Sequence, residues 1–461
     1  MSAPDRSWTI APTLGWFVVF ATAALTIDDG DGSALADRLT HPRDSETAPV
    51  GSSPLQANAG TRAAAEDVAS PPPAIPVTPG GRDIGALDDV CLDGTDAACK
   101  RWAMDGFYAS AKAARAGTLG RALRVSWYGD SVVASDALPG NLRSRMQAEL
   151  GDGGPGFVYA VPPHRFCGHA QVTRSGGDNW LAYAISTVHT GDGFYGPGGS
   201  TAETNSGTTS FKLTAAVTTA ELYYLAQPGG GNAVLRADGT ELVRQSTAAK
   251  AKTAAWVTGT AAKGSKKFEL KGEGKTRVFG LAFENTTGAV VDNFGIVNVN
   301  AKTFITHNQA AYKALLQHRN ADLIIMMIGA NEAQWLKVGD KSMKDYQAQY
   351  EKVLEPLRLA RPDATCLVMS PTDEAEPKDS GYQSRPVIAA IVDAQRKAAH
   401  AQGCAFYSSF QWMGGTGSAQ KWFKKRLIGS DMIHLTTAGA QKMSGGLFDA
   451  LMAGSKQYAG N

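Results

Sequence analysis

A serine hydroxyl attacks an acyl carbon only if a base takes its proton, and that base needs an acceptor to fix its tautomer. The chain carries these three residue types at turn-like positions. Gly129-Asp130-Ser131 ends the strand-like run 123–128 (LRVSWY). Glycine permits a sharp turn, and helical periodicity resumes over 136–150, so Ser131 falls near a helix amino end, where N–H groups favour developing negative charge. An ordinary turn with an N-capping serine would explain the same three residues. Asp431-Met432-Ile433-His434 lies close to the C-terminus and precedes another helical segment. An Asp three positions before a His, in a tight turn, can reach back to Nδ1. A helix cap beside a surface histidine is the alternative for these residues taken alone.

Two further places could donate to an oxyanion. Gly329-Ala330-Asn331-Glu332 follows the apolar run 322–328, and an Asn amide there is a suitable donor. The stretch Asn293-Phe294-Gly295-Ile296-Val297-Asn298 offers backbone N–H groups in what reads as a glycine-containing turn. His164 and His169 flank Cys167, but no carboxylate stands at ligand spacing, so no metal site is expected.

The elements that must position these groups follow from periodicity. Residues 97–118 read as a helix with Trp102, Phe107 and Ala111 on its apolar face. The runs 322–328 and 364–370 are continuously apolar, as buried parallel strands are, and 405–408 is a third strand. Helices are expected over 342–360, 385–402 and 436–452. Strands alternating with helices give a three-layer α/β/α unit around a parallel sheet, and open sheets of this kind gather active groups at strand carboxyl ends. From about 155 to 290 the texture changes to short alternating runs, including 210–214, 220–224, 267–271 and 277–283, separated by turn residues. That pattern predicts an inserted all-β sandwich. Its aromatics Trp180, Tyr183, Phe194, Tyr195, Tyr223, Tyr224 and Trp256 could stack on sugars or fill the sandwich core. Its lysines, Lys250 to Lys275, could attract an anionic glycan or form a solvated face.

With 461 residues, 43% hydrophobic and 19% charged, the chain is long enough for two or three units. A net charge of +2 argues against nucleic acid as a partner. Residues 1–27 contain an almost uncharged segment, 8–27, that suits a signal peptide or one membrane anchor, with the remainder exported. Residues 28–87 are rich in Ala, Pro, Ser and Gly and read as a disordered spacer. The catalytic unit is then expected over 88–154 and 291–461, with 155–290 inserted. In an oxidising compartment Cys91 with Cys99, and Cys366 with Cys404, are plausible disulfides that leave Cys167 unpaired; five buried thiols are the alternative.

Taken together and in order, Ser131, Asn331, Asp431 and His434 resemble the four blocks of the SGNH (GDSL-like) hydrolase superfamily: a G-D-S serine, a glycine, a G-x-N-D asparagine and a D-x-x-H pair. The resemblance implies Ser131 as nucleophile, His434 as base and Asp431 as its orienting partner. It implies an oxyanion hole made by the N–H groups of Ser131 and Asn298 with the Asn331 side chain, and no cofactor. Two positions depart from the pattern: Glu332 replaces the usual Asp, and Asn298 stands where a glycine is usual. The G-x-S-x-G elbow of α/β-hydrolases does not occur. The insertion at 155–290, and the run from Gly414 through Trp422 to His434, resemble exported bacterial polysaccharide O-acetylesterases, including peptidoglycan O-acetylesterases. These carry a jelly-roll, carbohydrate-binding-module-like insertion in the same gap. This implies an acylated polysaccharide as substrate and a periplasmic or cell-surface location. An acetyltransferase on the same triad, or a surface glycan-binding protein with little turnover, fits the same residues.

Overall fold

A computed structural model describes residues 87–459 except 340 and 380. The expected signal or anchor segment over 1–27, and all but the last residue of the expected spacer over 28–87, lie outside the described residues. The spacer's last residue is ordered: Leu87 is buried, and Leu87–Asp88 pairs antiparallel with Ala405–Tyr407 at one edge of the main sheet. No helix among the described residues is long and apolar enough to cross a membrane.

The main sheet has five parallel strands. In spatial order they are Ala289–Gly295, Leu123–Gly129, Leu323–Met327, Thr365–Met369 and Ala405–Tyr407. Numbered along the chain, this order is 2-1-3-4-5, a doubly wound arrangement whose direction of winding reverses between the Leu123 and Leu323 strands. Apart from Arg124 and Asn293 these strands are almost fully buried, which explains the unbroken apolar run of the Leu323 strand. One layer of helices, Asp105–Arg115, Ala137–Leu150 and Thr437–Ala459, packs in a core with Trp127, Leu142 and Leu447. On the other face Gln309–Arg319, Lys341–Ala360 and Pro386–Ala401 pack around Tyr312, Tyr350 and Ile391.

The helix expected over 97–118 is shorter. Residues 91–102 form a small hairpin of Cys91–Asp93 and Arg101–Trp102, closed by the Cys91–Cys99 disulfide with a single 3-10 turn at Asp96–Ala98, and the α-helix is confined to Asp105–Arg115. The loop closure outcompetes local helical propensity, yet Trp102, Phe107 and Ala111 are buried as the apolar pattern required. Cys366 and Cys404 are also bonded, joining one sheet strand to the start of the next, and Cys167 is free and buried.

Between the first and second segments of the α/β unit lie two antiparallel sheets, built from strands running from Gly156–Val158 to Thr276–Glu284. A separate core of Phe211, Leu222, Leu235, Phe268 and Phe283 fills the sandwich. Trp180, Tyr195, Tyr223 and Tyr224 are buried, and Tyr183, Phe194 and Trp256 are partly buried against core, so these seven aromatics are packing residues. Lys252 and Lys271 pair with Asp192 and Glu273.

A buried ionic network joins the sandwich to the parallel sheet. Arg319, 2% exposed, donates to Asp292 on the Ala289–Gly295 strand at 2.6 and 2.8 Å and pairs with Glu284 at the end of a sandwich strand. Arg124 reaches Glu284 at 2.6 Å, and Asp292 also accepts from Ser126 Oγ and the Phe157 N–H. Every carboxylate in the network has several donors, which is the condition under which buried charge is tolerated. A second seam stacks Trp256 on His318 at 3.8 Å, with His318 bonded to Glu221.

Candidate active site

The residues singled out by type and spacing converge at the carboxyl end of the parallel sheet. At Gly129 a Cβ would lie 2.2 Å from Val133 and 2.8 Å from the Met327 carbonyl, so only glycine lets the strand end beneath the helix that follows. Gly295, register partner of Gly129, is equally confined: its Cβ would meet the Ala134 nitrogen at 2.3 Å. Between them stands the short helix Ser131–Ala134. Asp130 caps it, accepting the Val132 N–H at 3.0 Å. Burial pushes the Asp130 carboxyl up to about 6, opposed by the N–H groups of Val132 and Ala330. Asp130 thus ties the Ser131 turn to the Gly329–Asn331 loop.

Ser131 Oγ lies 2.8 Å from His434 Nε2, and His434 Nδ1 lies 2.6 Å from Asp431 Oδ2. Asp431 Oδ1 accepts the N–H groups of Ile433 and His434, and Met432 takes a left-handed conformation (φ +59°) that closes this turn. Burial draws the Asp431 carboxyl upward, but the bonds from His434 and the two N–H groups outweigh it and hold it below the usual carboxylate range. An ionised carboxylate only accepts, so Nδ1 carries the imidazole proton and Nε2 presents its lone pair to Ser131. The Asp431 bond also raises His434 above the ordinary imidazole value, against the effect of burial. The side chains of His434 and Asp431 are 46% and 49% exposed, so the relay stands at the surface.

The third and second blocks are clipped together. Asn331 Nδ2 donates to the Val299 carbonyl at 2.8 Å, and Glu332 Oε1 accepts the Ala301 N–H at 2.8 Å. Glu332 is 2% exposed, and burial pushes its carboxyl up to about 7. It acts here as a brace under the loop that carries Asn298, a role its place in the motif did not announce. Asn298 is exposed, has φ +66°, and its N–H has no hydrogen-bond acceptor among the described residues. Left-handed backbone explains why a glycine is usual at this position, and Asn is among the side chains that tolerate it. Residues 293–295 are not a turn: they finish the Ala289–Gly295 strand, and the Gly295 N–H is taken by Asn293 Oδ1 at 2.9 Å. Gly295 therefore has no free N–H to offer an oxyanion, and Asn298 does.

Ser131 and His434 line a pocket of about 250 Å³ with Ser135, Leu435, Ala440 and Phe166. Phe166 was not among the sequence candidates. It lies in a Pro- and His-containing loop without periodicity, and only its return to the nucleophile helix gives it a place in the site.

Residues 260–442 match the GDSL-like lipase/acylhydrolase family. The matched stretch begins within the insertion, after Ser131, and contains Asn298, Asn331, Asp431 and His434. The chain is similar to the solved structure of a peptidoglycan O-acetylesterase, with 22% identity, a TM-score of 0.65, and coverage of 76% of this chain and 96% of that one. Weaker likenesses include an acetylxylan esterase from Geobacillus stearothermophilus (17% identity, TM-score 0.26, 36% of this chain and 73% of that one). Another is a salicylyl-acyltransferase from a tetracycline biosynthetic pathway (13% identity, TM-score 0.26, 62% and 94%). No curated protein matches in sequence. The α/β part of the chain is thus similar to GDSL-like acylhydrolases, and it carries an all-β insertion.

Proposed function

We propose that this GDSL-type ester hydrolase removes short acyl groups, acetyl foremost, from a polysaccharide outside the cytoplasm. The observation that carries the reading is the Ser131–His434–Asp431 relay, in hydrogen-bond contact throughout and opening on a small pocket. A volume of about 250 Å³ suits a short acyl group better than a fatty chain. A half-exposed relay suits a polymer whose bulk stays in solvent. The similarity to a peptidoglycan O-acetylesterase supports the same substrate class. Two disulfides among the described residues support an oxidising compartment, periplasm or cell surface.

In the proposed cycle His434 Nε2 takes the Ser131 proton as Oγ bonds to the ester carbon. The N–H groups of Ser131 and Asn298 and the Asn331 amide hold the oxyanion. Collapse breaks the C–O bond to the sugar, and His434 returns the proton to the departing hydroxyl. Water, deprotonated by His434, then attacks the acyl-serine and releases the acid and free Ser131.

Replacement Ser131→Ala should lower hydrolysis of 4-nitrophenyl acetate by at least ~10³-fold in kcat/KM. Unchanged turnover would refute the assignment. Free acetate must appear in step with deacetylated glycan. Acetyl recovered on an acceptor sugar instead would make the chain a transferase, and tight glycan binding without labelling by a serine-directed phosphonate would make it a binding protein.

A further inference from the structure

Phe166 is 55% exposed, yet it forms part of the wall of the nucleophile's pocket. A single exposed apolar side chain on a loose loop would mean little. This one sits on a loop tied down at Cys167, Gly168 and Ala170. Beside it the Gly168 N–H bonds the Ala134 carbonyl at 3.1 Å, and a Cβ at Gly168 would lie 2.8 Å from the Ser135 carbonyl, so the loop is pressed onto the nucleophile helix. Asn293 Nδ2 bridges the Ala134 and Gly168 carbonyls. Cys167 is buried, its carbonyl accepts from Arg174, and the Ala170 N–H bonds Asp136 at 2.6 Å. Fixing this loop does nothing to hide the Phe166 ring from water.

The flanking residues give the ring a chemistry. The Arg165 guanidinium lies over it at 4.7 Å from the centroid, and the His164 ring packs beside it at 5.0 Å. Arg165 is exposed and has no carboxylate partner among the described residues. An aromatic face takes the C–H face of a sugar, and a guanidinium takes a carboxylate in two-point contact. The sandwich's buried aromatics offer no such surface.

We propose that Phe166 and Arg165 form a specificity platform at the mouth of the pocket. Phe166 takes the apolar face of the acylated sugar, and Arg165 takes a carboxylate on that sugar or its neighbour. The inference rests on the esterase reading and narrows its substrate class to acidic glycans.

The test compares kcat/KM on three substrates: 4-nitrophenyl acetate, an O-acetylated uronic-acid oligosaccharide and an O-acetylated neutral hexose oligosaccharide. Phe166→Ala should lower both sugar substrates relative to the aryl ester by ~10-fold, the scale of one pocket contact, and Phe166→Trp should restore most of that loss. Arg165→Ala should lower the acidic-to-neutral ratio by ~10-fold, with Arg165→Lys intermediate and the wild-type preference shrinking as salt is raised. If Phe166→Ala lowers all three substrates by one factor, or not at all, the ring is not a sugar platform. If Arg165→Ala leaves the acidic-to-neutral ratio unchanged, the carboxylate assignment is overturned. Failure of the esterase reading would look different: no wild-type turnover of the aryl ester beyond that of Ser131→Ala.

Discussion

The inserted sandwich and the carboxyl edge of the parallel sheet both carry many aromatic side chains, and they spend them differently. In the sandwich Trp180, Tyr195, Tyr223 and Tyr224 are buried, and Trp256 is stacked on His318 at the junction with the α/β unit. At the edge Trp335, Tyr382 and Phe423 are exposed by 40% or more, as is Phe166 in the insertion's first connecting loop, which packs onto the Ser131–Ala134 helix. Trp335, Tyr382 and Phe423 follow the carboxyl ends of the Leu323, Thr365 and Ala405 strands, the same edge from which Ser131, Asn331 and His434 emerge. The edge thus leaves aromatic faces open to solvent, and the sandwich turns most of its own inward as a buttress. The sandwich spends its aromatics on packing. Its Glu284, through Arg124 and Arg319, ties it to the Leu123 and Ala289 strands that flank the Ser131 turn.

The largest effect that separates the regions is expected at the relay. Asp431→Asn leaves an acceptor for the turn's N–H groups but removes the charge that fixes His434, so kcat should fall by about 10³–10⁴-fold while the melting temperature stays nearly constant. Arg319→Ala should do the reverse. It strands Asp292 and Glu284 without their shared cation, which costs on the order of 3–5 kcal/mol in a buried network, visible as a lower denaturant midpoint. Residual folded enzyme should keep its kcat. A large loss of kcat at unchanged stability would mean that the network serves chemistry, and the buttress description would fail.

A smaller effect tests the electrostatics of the edge. His434 must be neutral to accept the Ser131 proton, and its pKa is raised by Asp431. Activity is therefore lost as pH falls through that raised value, about tenfold per unit below it, and the acidic limb of kcat/KM should lie above the ordinary imidazole value of about 6.5. In Asp431→Asn the limb of the residual activity should move down. A limb that stays put would assign it to another group.

How far the sequence carried depended on whether a feature was local. The sheet strands were readable because burial on both faces leaves apolar runs such as 323–327, and the Asp431-to-His434 geometry because four residues in one turn fix it. The hairpin at 91–102 was not, since the Cys91–Cys99 disulfide, readable as a pairing, closes a loop that overrides the helical spacing. Glu332 looked like a neutral departure from the motif because its partner, the Ala301 N–H, is 31 residues away. Phe166 had no periodic signal, and only tertiary contacts bring it to Ser131.

Asn298 shows the two kinds of information meeting, and it carries the smallest expected effect. Its mismatch with the usual glycine looked like a weakness of the oxyanion assignment; its φ of +66° turns it into an explanation, because both residues tolerate that conformation. Asn298→Gly should therefore keep kcat/KM within about twofold. Asn298→Ala keeps the backbone N–H but must adopt a left-handed conformation at a cost of about 1 kcal/mol, so if the loop relaxes to avoid it the donor moves and kcat falls by roughly fivefold. The ordering Gly ≈ Asn > Ala in aryl acetate turnover would tie the site to backbone conformation. Equal activity of all three would place the second oxyanion donor elsewhere on the edge, with Asn331 and Ser131 left to carry the hole.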